Sequence, residues 1–233
     1  MNNTLQDGSG QMFDRICERY DFLNRVMSLG IDGRWRKRAV QALGSDVGYV
    51  LDLATGTADV AIEVARRIPN SRVLGLDPSD GMLRVGQRKV EKAGLANRVT
   101  FKKGDGQRIA ASDDAFDAAI MAFGIRNVAR RERCLRELGR VVRPGGPVVV
   151  LELSEPRGGH PLAFGAGLWK RYVVPRLGSA LSSTPEYAYL ERSIRAFPRP
   201  DEFLELMATC GLRGGKAEPL TFGAATLFTA RAP

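Results

Sequence analysis

Three aspartates stand where apolar runs give way to small or polar residues, and their spacing suits one ligand. Asp52 lies in Tyr49-Val-Leu-Asp-Leu-Ala54 and leads into Thr55-Gly-Thr57, a small-residue turn that lets backbone approach a bound molecule. Asp77 closes Arg72-Val-Leu-Gly-Leu-Asp77, twenty residues after Thr57, and is placed to receive two ribose hydroxyls on one carboxylate. Asp105, in Gly104-Asp105-Gly106, follows a third run and is suited to accept a hydrogen bond from the exocyclic amine of adenine. Any one of them alone reads as a solvated loop acid. Three at the ends of successive runs describe an adenosine pocket. A dinucleotide would use the same ends, but Gly56-Thr-Ala-Asp-Val-Ala61 offers a single glycine where Gly-x-Gly-x-x-Gly is needed to cradle a pyrophosphate. An acidic, phosphate-free pocket suits a sulfonium cation instead, since carboxylates are stabilised beside a fixed positive charge.

The runs that carry these acids alternate with helical spacing. Strands are predicted over 49–54, 72–77, 99–102, 116–122 and 148–153. Helices are predicted near Val60 to Arg67, from Ser79 to Ala93 with Ser79 as N-cap, and from Arg130 to Val142. Strict alternation of this kind builds a doubly wound parallel sheet whose ligand crevice lies at the carboxyl ends of the strands. Residues 1–46 contain no strand-like run, and Ile16, Tyr20, Leu23 and Met27 recur at helical spacing, as do Trp35, Ala39 and Leu43. We therefore expect a helical cap over 1–46 and one structural unit over 47–233. The stretch from about 161 to 197 interrupts the alternation and reads as a helical insert over the ligand edge. An amphipathic helix follows from Asp201 to Gly211, and Leu220 to Thr229 reads as a closing strand pair or one long strand around Gly223.

Composition narrows the function classes. The 233 residues suit one core, and 44% hydrophobic with 26% charged is ordinary for a soluble globular chain. The longest apolar stretches fall short of the roughly 20 residues a spanning helix needs. The first residues have neither the basic start nor the apolar run of a secretory signal, which leads us to expect a cytoplasmic protein. Cys17, Cys134 and Cys210 show no metal-binding or disulfide spacing, and His160 is the one histidine, so metal chemistry is not expected. The net charge of +9, much of it in Arg34 to Arg38 and Arg130 to Arg143, suits a phosphate-bearing surface such as an anionic membrane.

Longer stretches narrow the reading further. Phe13-Asp-Arg15, Tyr20-Asp-Phe-Leu-Asn-Arg-Val-Met-Ser-Leu-Gly30, Trp35-Arg36, Leu51-Asp-Leu-Ala-Thr-Gly-Thr57, Asp77-Pro-Ser-Asp-Gly-Met82 and Ala122-Phe-Gly-Ile-Arg-Asn-Val128 stand beside Tyr187-Ala-Tyr-Leu190, Ser193-Ile-Arg-Ala-Phe-Pro198 and Leu220-Thr-Phe-Gly223. Together they resemble the ubiquinone/menaquinone biosynthesis C-methyltransferase family. The resemblance implies a Rossmann-like, seven-stranded α/β sheet, mostly parallel with an antiparallel C-terminal strand. It implies S-adenosylmethionine as cofactor and a prenylated quinol as acceptor: demethylmenaquinol, with a 2-polyprenyl-6-methoxy-benzoquinol as the alternative. Carried over by residue, the cofactor positions are Asp52, Gly56, Thr57, Asp77, Asp105, Gly106 and Ala122. Ala58 departs from the family's usual glycine, which matters only if that residue needs positive φ.

An aromatic carbon is a poor nucleophile unless a neighbouring phenol loses its proton. The resemblance therefore points to Arg126 as the stabiliser of phenolate charge and Asn127 as an orienting donor, with Tyr20, Tyr187 and Tyr189 as candidate lids over the ring. Arg126 has an alternative reading, a salt bridge that holds its loop. Trp169, Lys170, Arg171 and Arg176 suit a surface dipping into lipid headgroups, where a polyprenyl tail would enter. A nucleic-acid substrate is not expected, because the Asn/Asp-Pro-Pro-Tyr/Phe and Pro-Cys signatures of base methylation are absent. A homodimer is left open.

Overall fold

A computed structural model describes Asp14, Cys17, Arg25, Ser28 and residues 30–154 and 185–233; for 185–188 and 190 the description is of the backbone. The expected alternation is present. Helix α1 (Asp32–Gln41) precedes β1 (Tyr49–Leu53), α2 (Asp59–Arg67), β2 (Arg72–Asp77), α3 (Asp80–Lys92), β3 (Val99–Lys103) and β4 (Ala118–Ala122). A 3-10 turn (Ile125–Asn127), α4 (Arg131–Val141) and β5 (Pro147–Leu153) follow, then α5 (Pro185–Arg195), α6 (Pro200–Thr209), β6 (Arg213–Leu220) and β7 (Ala225–Arg231).

The strands form one seven-stranded sheet in the order β3-β2-β1-β4-β5-β7-β6. Contacts from β3 through β5 are parallel, and β7 runs antiparallel to both β5 and β6. Period-two alternation divides the core. Val50, Ile120, Val149 and Leu151 pack with α1 and α2 on one face, while Leu51, Met121, Val148 and Val150 pack with α4 and α6 on the other. Because both faces are covered, β5 is buried almost throughout, which is why its sequence is a continuous apolar run. Helix α1 belongs to this same core through Trp35, Ala39 and Val40.

Helix ends follow local chemistry. The Ser79 hydroxyl accepts from the Met82 amide at 3.1 Å and starts α3, and Pro200 opens α6, where a missing N–H costs nothing. Two expectations are corrected. The fourth strand begins at Ala118, because Phe116 has already left the ladder to bridge Val142. At the C-terminus the strand pair around Gly223 starts earlier than expected: β6 runs over Arg213–Leu220, and Thr221–Gly223 is a 3-10 turn between β6 and β7. As the outermost strand β6 needs no second partner, so it tolerates Gly214, Gly215 and Pro219. Among the described residues no helix is long and apolar enough to cross a membrane. The stretch 161–184, with Trp169, Lys170, Arg171 and Arg176, and Tyr20 and the Tyr187 side chain lie outside the described residues.

Candidate active site

Strand order reverses between β1 and β4, since β1 continues to β2 on one side and β4 to β5 on the other. The crevice of a doubly wound sheet opens at such a point, beyond the carboxyl ends of the strands. Here the chain after β1 turns sharply. Ala54 and Gly56 both have positive φ, 54° and 53°, and the Cβ position of Gly56 meets nothing within 4 Å. The turn is pinned from β2: the Thr55 amide donates to the Leu76 carbonyl, and the Gly56 amide donates to Asp77 Oδ2 at 2.9 Å. Helix α3 approaches from behind, where Gly86 leaves room for the Ala58 methyl and the Gly56 carbonyl.

Asp77 is nearly buried, and its other oxygen accepts from the Ser79 amide at 2.9 Å. Burial pushes its pKa up, and the two amides oppose that rise by stabilising the charged form. Asp52 is more deeply enclosed. It accepts from the Thr55 hydroxyl at 2.6 Å, and burial pushes its pKa up to about 7. Asp52 thus holds the turn through its bond to Thr55. Thr57, also buried, takes a 3.2 Å hydrogen bond from Lys89 Nζ, which in turn pairs with Asp59. Ala58 caps α2 with φ of 68°, so this position does require the left-handed conformation that glycine adopts freely.

The third acid, Asp105, is exposed and accepts from the Gln107 amide at 2.9 Å. Gln107 Oε1 in turn accepts from the Arg130 amide, which links this loop to the start of α4. Gly106 packs where a Cβ would lie 3.0 Å from Leu53 and 3.2 Å from Cys134. One acid had no assigned role in the sequence reading. Asp14 Oδ1 accepts from the Ser79 hydroxyl at 2.6 Å and the Gly81 amide at 2.7 Å, bonds that hold its pKa below the ordinary value. Asp14 is thereby fastened to the start of α3, just beyond Asp77. No periodicity marks Asp14; its place in Phe13-Asp-Arg15 was the available signal.

The other half of the crevice is built on β4. Ala122 is half-buried at the strand tip, and Phe123 turns with φ of 58° while its amide still donates to the Leu151 carbonyl. The Arg36 guanidinium lies 5.3 Å from the centre of the Phe123 ring, and Arg36 pairs with Asp32. Trp35 donates to the Thr221 hydroxyl at 2.8 Å, so α1 ties the β4 tip to the turn between β6 and β7.

The 3-10 turn carries Arg126 and Asn127. Arg126 is buried, and its guanidinium is turned inward, donating to Glu152 Oε1 at 2.5 Å and to the Phe123 carbonyl at 2.7 Å. The salt-bridge alternative for Arg126 is therefore realised. Asn127 Oδ1 accepts from the Tyr189 hydroxyl at 2.9 Å, which brings α5 onto the turn. Of the sequence-derived residues, Gly56, Asp77, Ala122 and Asn127 stand at or just beyond the ends of β1, β2 and β4, and Asp52, Thr57 and Arg126 are buried beside them.

The residues present fit an adenosine-bearing cofactor. Open space stands above Gly56, Asp77 lies beside it, and exposed Asp105 is at the next strand tip. The fold agrees with solved structures of such enzymes. A SAM-dependent methyltransferase from Thermotoga maritima superposes with a TM-score of 0.67 at 18% identity, covering 96% of this chain and 99% of that one. Another from Aquifex aeolicus gives 0.63 at 17% identity, covering 85% and 89%. Sequence relatives match more specifically. A ubiquinone/menaquinone biosynthesis C-methyltransferase UbiE from Geobacter sulfurreducens is 43% identical over 94% of this chain and 86% of its own length. A demethylmenaquinone methyltransferase from Thermus thermophilus is 42% identical, over 95% of this chain and 100% of its own. The model of the ubiE/COQ5 methyltransferase family matches residues 2–231, and the chain belongs to that family.

Proposed function

We propose that this protein transfers the methyl group of S-adenosylmethionine to a ring carbon of a prenylated quinol, converting demethylmenaquinol to menaquinol. The observation that carries the reading is the likeness, over nearly the whole chain, to proteins named for this reaction. Several of those names also include ubiquinone, which favours a polyprenyl-methoxy-benzoquinol as the second substrate. The cofactor supplies an electrophilic methyl on a sulfonium.

Asp77 is suited to receive the ribose hydroxyls, Asp105 the adenine amine, and the Gly56–Thr57 backbone the methionine end, with Gly106 and Ala122 lining the cleft. On the acceptor side, Asn127 and Tyr189 orient a ring hydroxyl, and Arg126 lends positive charge at short range from below. That charge favours the phenolate, which pushes electron density onto the carbon to be methylated. Fixing that carbon in line with the donor is worth about 7–11 kcal/mol of barrier. Tyr20 is proposed to close over the ring.

A lipid-soluble acceptor must be reached at a bilayer. Exposed Arg34 and Lys37 on α1, with the net charge of +9, support peripheral contact with anionic headgroups. Salt-sensitive binding to phosphatidylglycerol vesicles is expected, and its absence would remove this part. The central experiment is quinone profiling by mass spectrometry in a strain lacking the gene. Accumulated demethylmenaquinone is expected; an unchanged quinone pool overturns the assignment.

A further inference from the structure

Glu152 stands in Pro147-Val-Val-Val-Leu-Glu-Leu153, a strand that is otherwise wholly apolar, and its side chain is entirely buried. Both of its oxygens are committed. Oε1 accepts from Arg126 Nη1 at 2.5 Å and from the Leu153 amide at 2.8 Å, and Oε2 accepts from the Arg126 amide at 3.1 Å. One carboxylate therefore grips both the side chain and the backbone of Arg126. Stability alone is a poor reason for this arrangement, because apolar residues of similar volume generally serve a core as well as a buried ion pair does.

The surroundings suggest what the pair is for. From α4, Arg131 donates to the Arg126 carbonyl and lies 5.4 Å from the centre of the Phe197 ring, in the field of Glu152 and of Glu132 on its own helix. From α5, the Tyr189 hydroxyl meets Asn127, and on β7 the residue opposite Glu152 is the uncharged Thr226. Glu152 thus balances the buried charge of Arg126 beside the Asn127–Tyr189 cluster.

We propose that Glu152 is a positioning residue for methyl transfer: it fixes the direction of Arg126 and balances its charge beneath a ring hydroxyl held at Asn127. The proposal rests on the reading that Asn127 and Arg126 serve the acceptor. Replacing Glu152 by glutamine keeps the shape and removes the balancing charge. A phenol in the site then ionises more readily while Arg126 loses its fixed orientation.

The test is steady-state kinetics across pH on the full chain, using labelled S-adenosylmethionine and a short-chain demethylmenaquinol. Melting curves and calorimetry with S-adenosylhomocysteine accompany it. For Glu152→Gln, kcat at the optimum is expected to fall at least about tenfold while the acid limb of the kcat profile, which reports the bound phenol, moves to lower pH by about one unit. S-adenosylhomocysteine affinity stays within about twofold, because the nucleoside half does not touch Glu152. Glu152→Asp recovers part of kcat.

The double variant Arg126→Gln with Glu152→Gln removes one charge of each sign, so its acid limb returns to the wild-type position while kcat stays low. It also supplies the answer should Glu152→Gln fail to fold. An unmoved acid limb in Glu152→Gln, or in the double variant a limb displaced from wild type, overturns the inference. If instead Arg126→Gln alone is as active as wild type, the reading of the acceptor site falls with it. Arg126 indispensable with Glu152 inert leaves that reading standing and removes only the present proposal.

Discussion

The Cβ position of Gly124 lies 2.7 Å from the Cβ of Ala54, so the tips of β4 and β1 meet with no room for a side chain between them. This contact brings the nucleoside cradle after β1 beside the Arg126–Asn127 turn after β4. Both neighbours are constrained as well. Ala54 and Phe123 are non-glycine residues with positive φ, and strain of that kind persists where surrounding structure enforces it, commonly at ligand sites. Gly124→Ala should therefore destabilise the fold by about 1–3 kcal/mol, the usual cost of overpacking. It should also lower kcat by spreading donor and acceptor apart. Urea denaturation with steady-state kinetics checks both; unchanged turnover would mean that the two tips do not set the reaction geometry.

Ala58 offers a prediction of opposite sign. Its φ of 68° places an alanine where the left-handed conformation costs about 1–2 kcal/mol, a penalty that glycine avoids. Glycine also gives the unfolded chain more freedom, which offsets about 0.4–1 kcal/mol. The net expectation for Ala58→Gly is a gain of about 0.5–1 kcal/mol. The turn it relaxes lies beside Gly86, where the Ala58 methyl is in close contact. A lower urea midpoint for the variant would show that this contact outweighs the backbone strain.

Asp77 has two duties, and its replacement should separate them. It anchors the Gly56 and Ser79 amides, and it is the proposed ribose ligand. Asp77→Ala should weaken S-adenosylhomocysteine binding by about 1.5–3 kcal/mol, the scale of a hydrogen bond to a charged group. Calorimetry at fixed pH measures this directly, and unaltered affinity would place the ribose elsewhere.

Much of this arrangement was legible in the amino-acid order. Strands buried on both faces read as uninterrupted apolar runs, and the acids Asp77 and Asp105 stand at or just beyond the strand ends that the apolar pattern predicts. What escaped depends on contacts between distant residues. Glu152 and Arg126 are 26 positions apart, and Tyr189 and Asn127 are 62 apart, so neither pairing leaves a local pattern. A glutamate inside Val-Val-Val-Leu-Glu-Leu was still a usable signal, since an interior strand seldom buries a charge unpaired. Strand β6 was hidden for another reason: as an edge it is free to use Gly214, Gly215 and Pro219, which imitate a loop. The left-handed turns at Ala54 and Phe123 were invisible because neither residue type favours them.

Asp52 predicts a pH dependence of folding. Its pKa is pushed from the ordinary 3.8 up to about 7 by burial, so between those values the native state holds a proton that the unfolded chain has released. Stability from this group is full below about pH 4 and declines as pH rises toward about 7. Asp77 shifts in the same direction, whereas Asp14, Asp32 and Glu137 shift downward and act oppositely. The contribution of Asp52 is therefore isolated by difference. Asp52→Asn preserves an acceptor for the Thr55 hydroxyl and should gain on wild type as pH rises from about 4 to about 7. A constant difference in unfolding free energy across that window would mean that Asp52 is ionised in the native state throughout.

Tyr189 joins the helix before α6 to the turn after β4, and its hydroxyl is the point of contact. Tyr189→Phe retains the ring and removes the donor to Asn127 Oδ1, which is then left short of one partner. Loss of a single neutral hydrogen bond of this kind should cost about 0.5–1.5 kcal/mol of stability. The kinetic effect should be larger than the stability effect, because Asn127 freed from Tyr189 no longer orients a ring hydroxyl. We expect kcat to fall about tenfold or more with S-adenosylhomocysteine affinity unchanged, a split that assigns the loss to the acceptor side. A variant that melts earlier yet turns over at the wild-type rate would make Tyr189 a structural clasp for α5, with no share in holding the quinol.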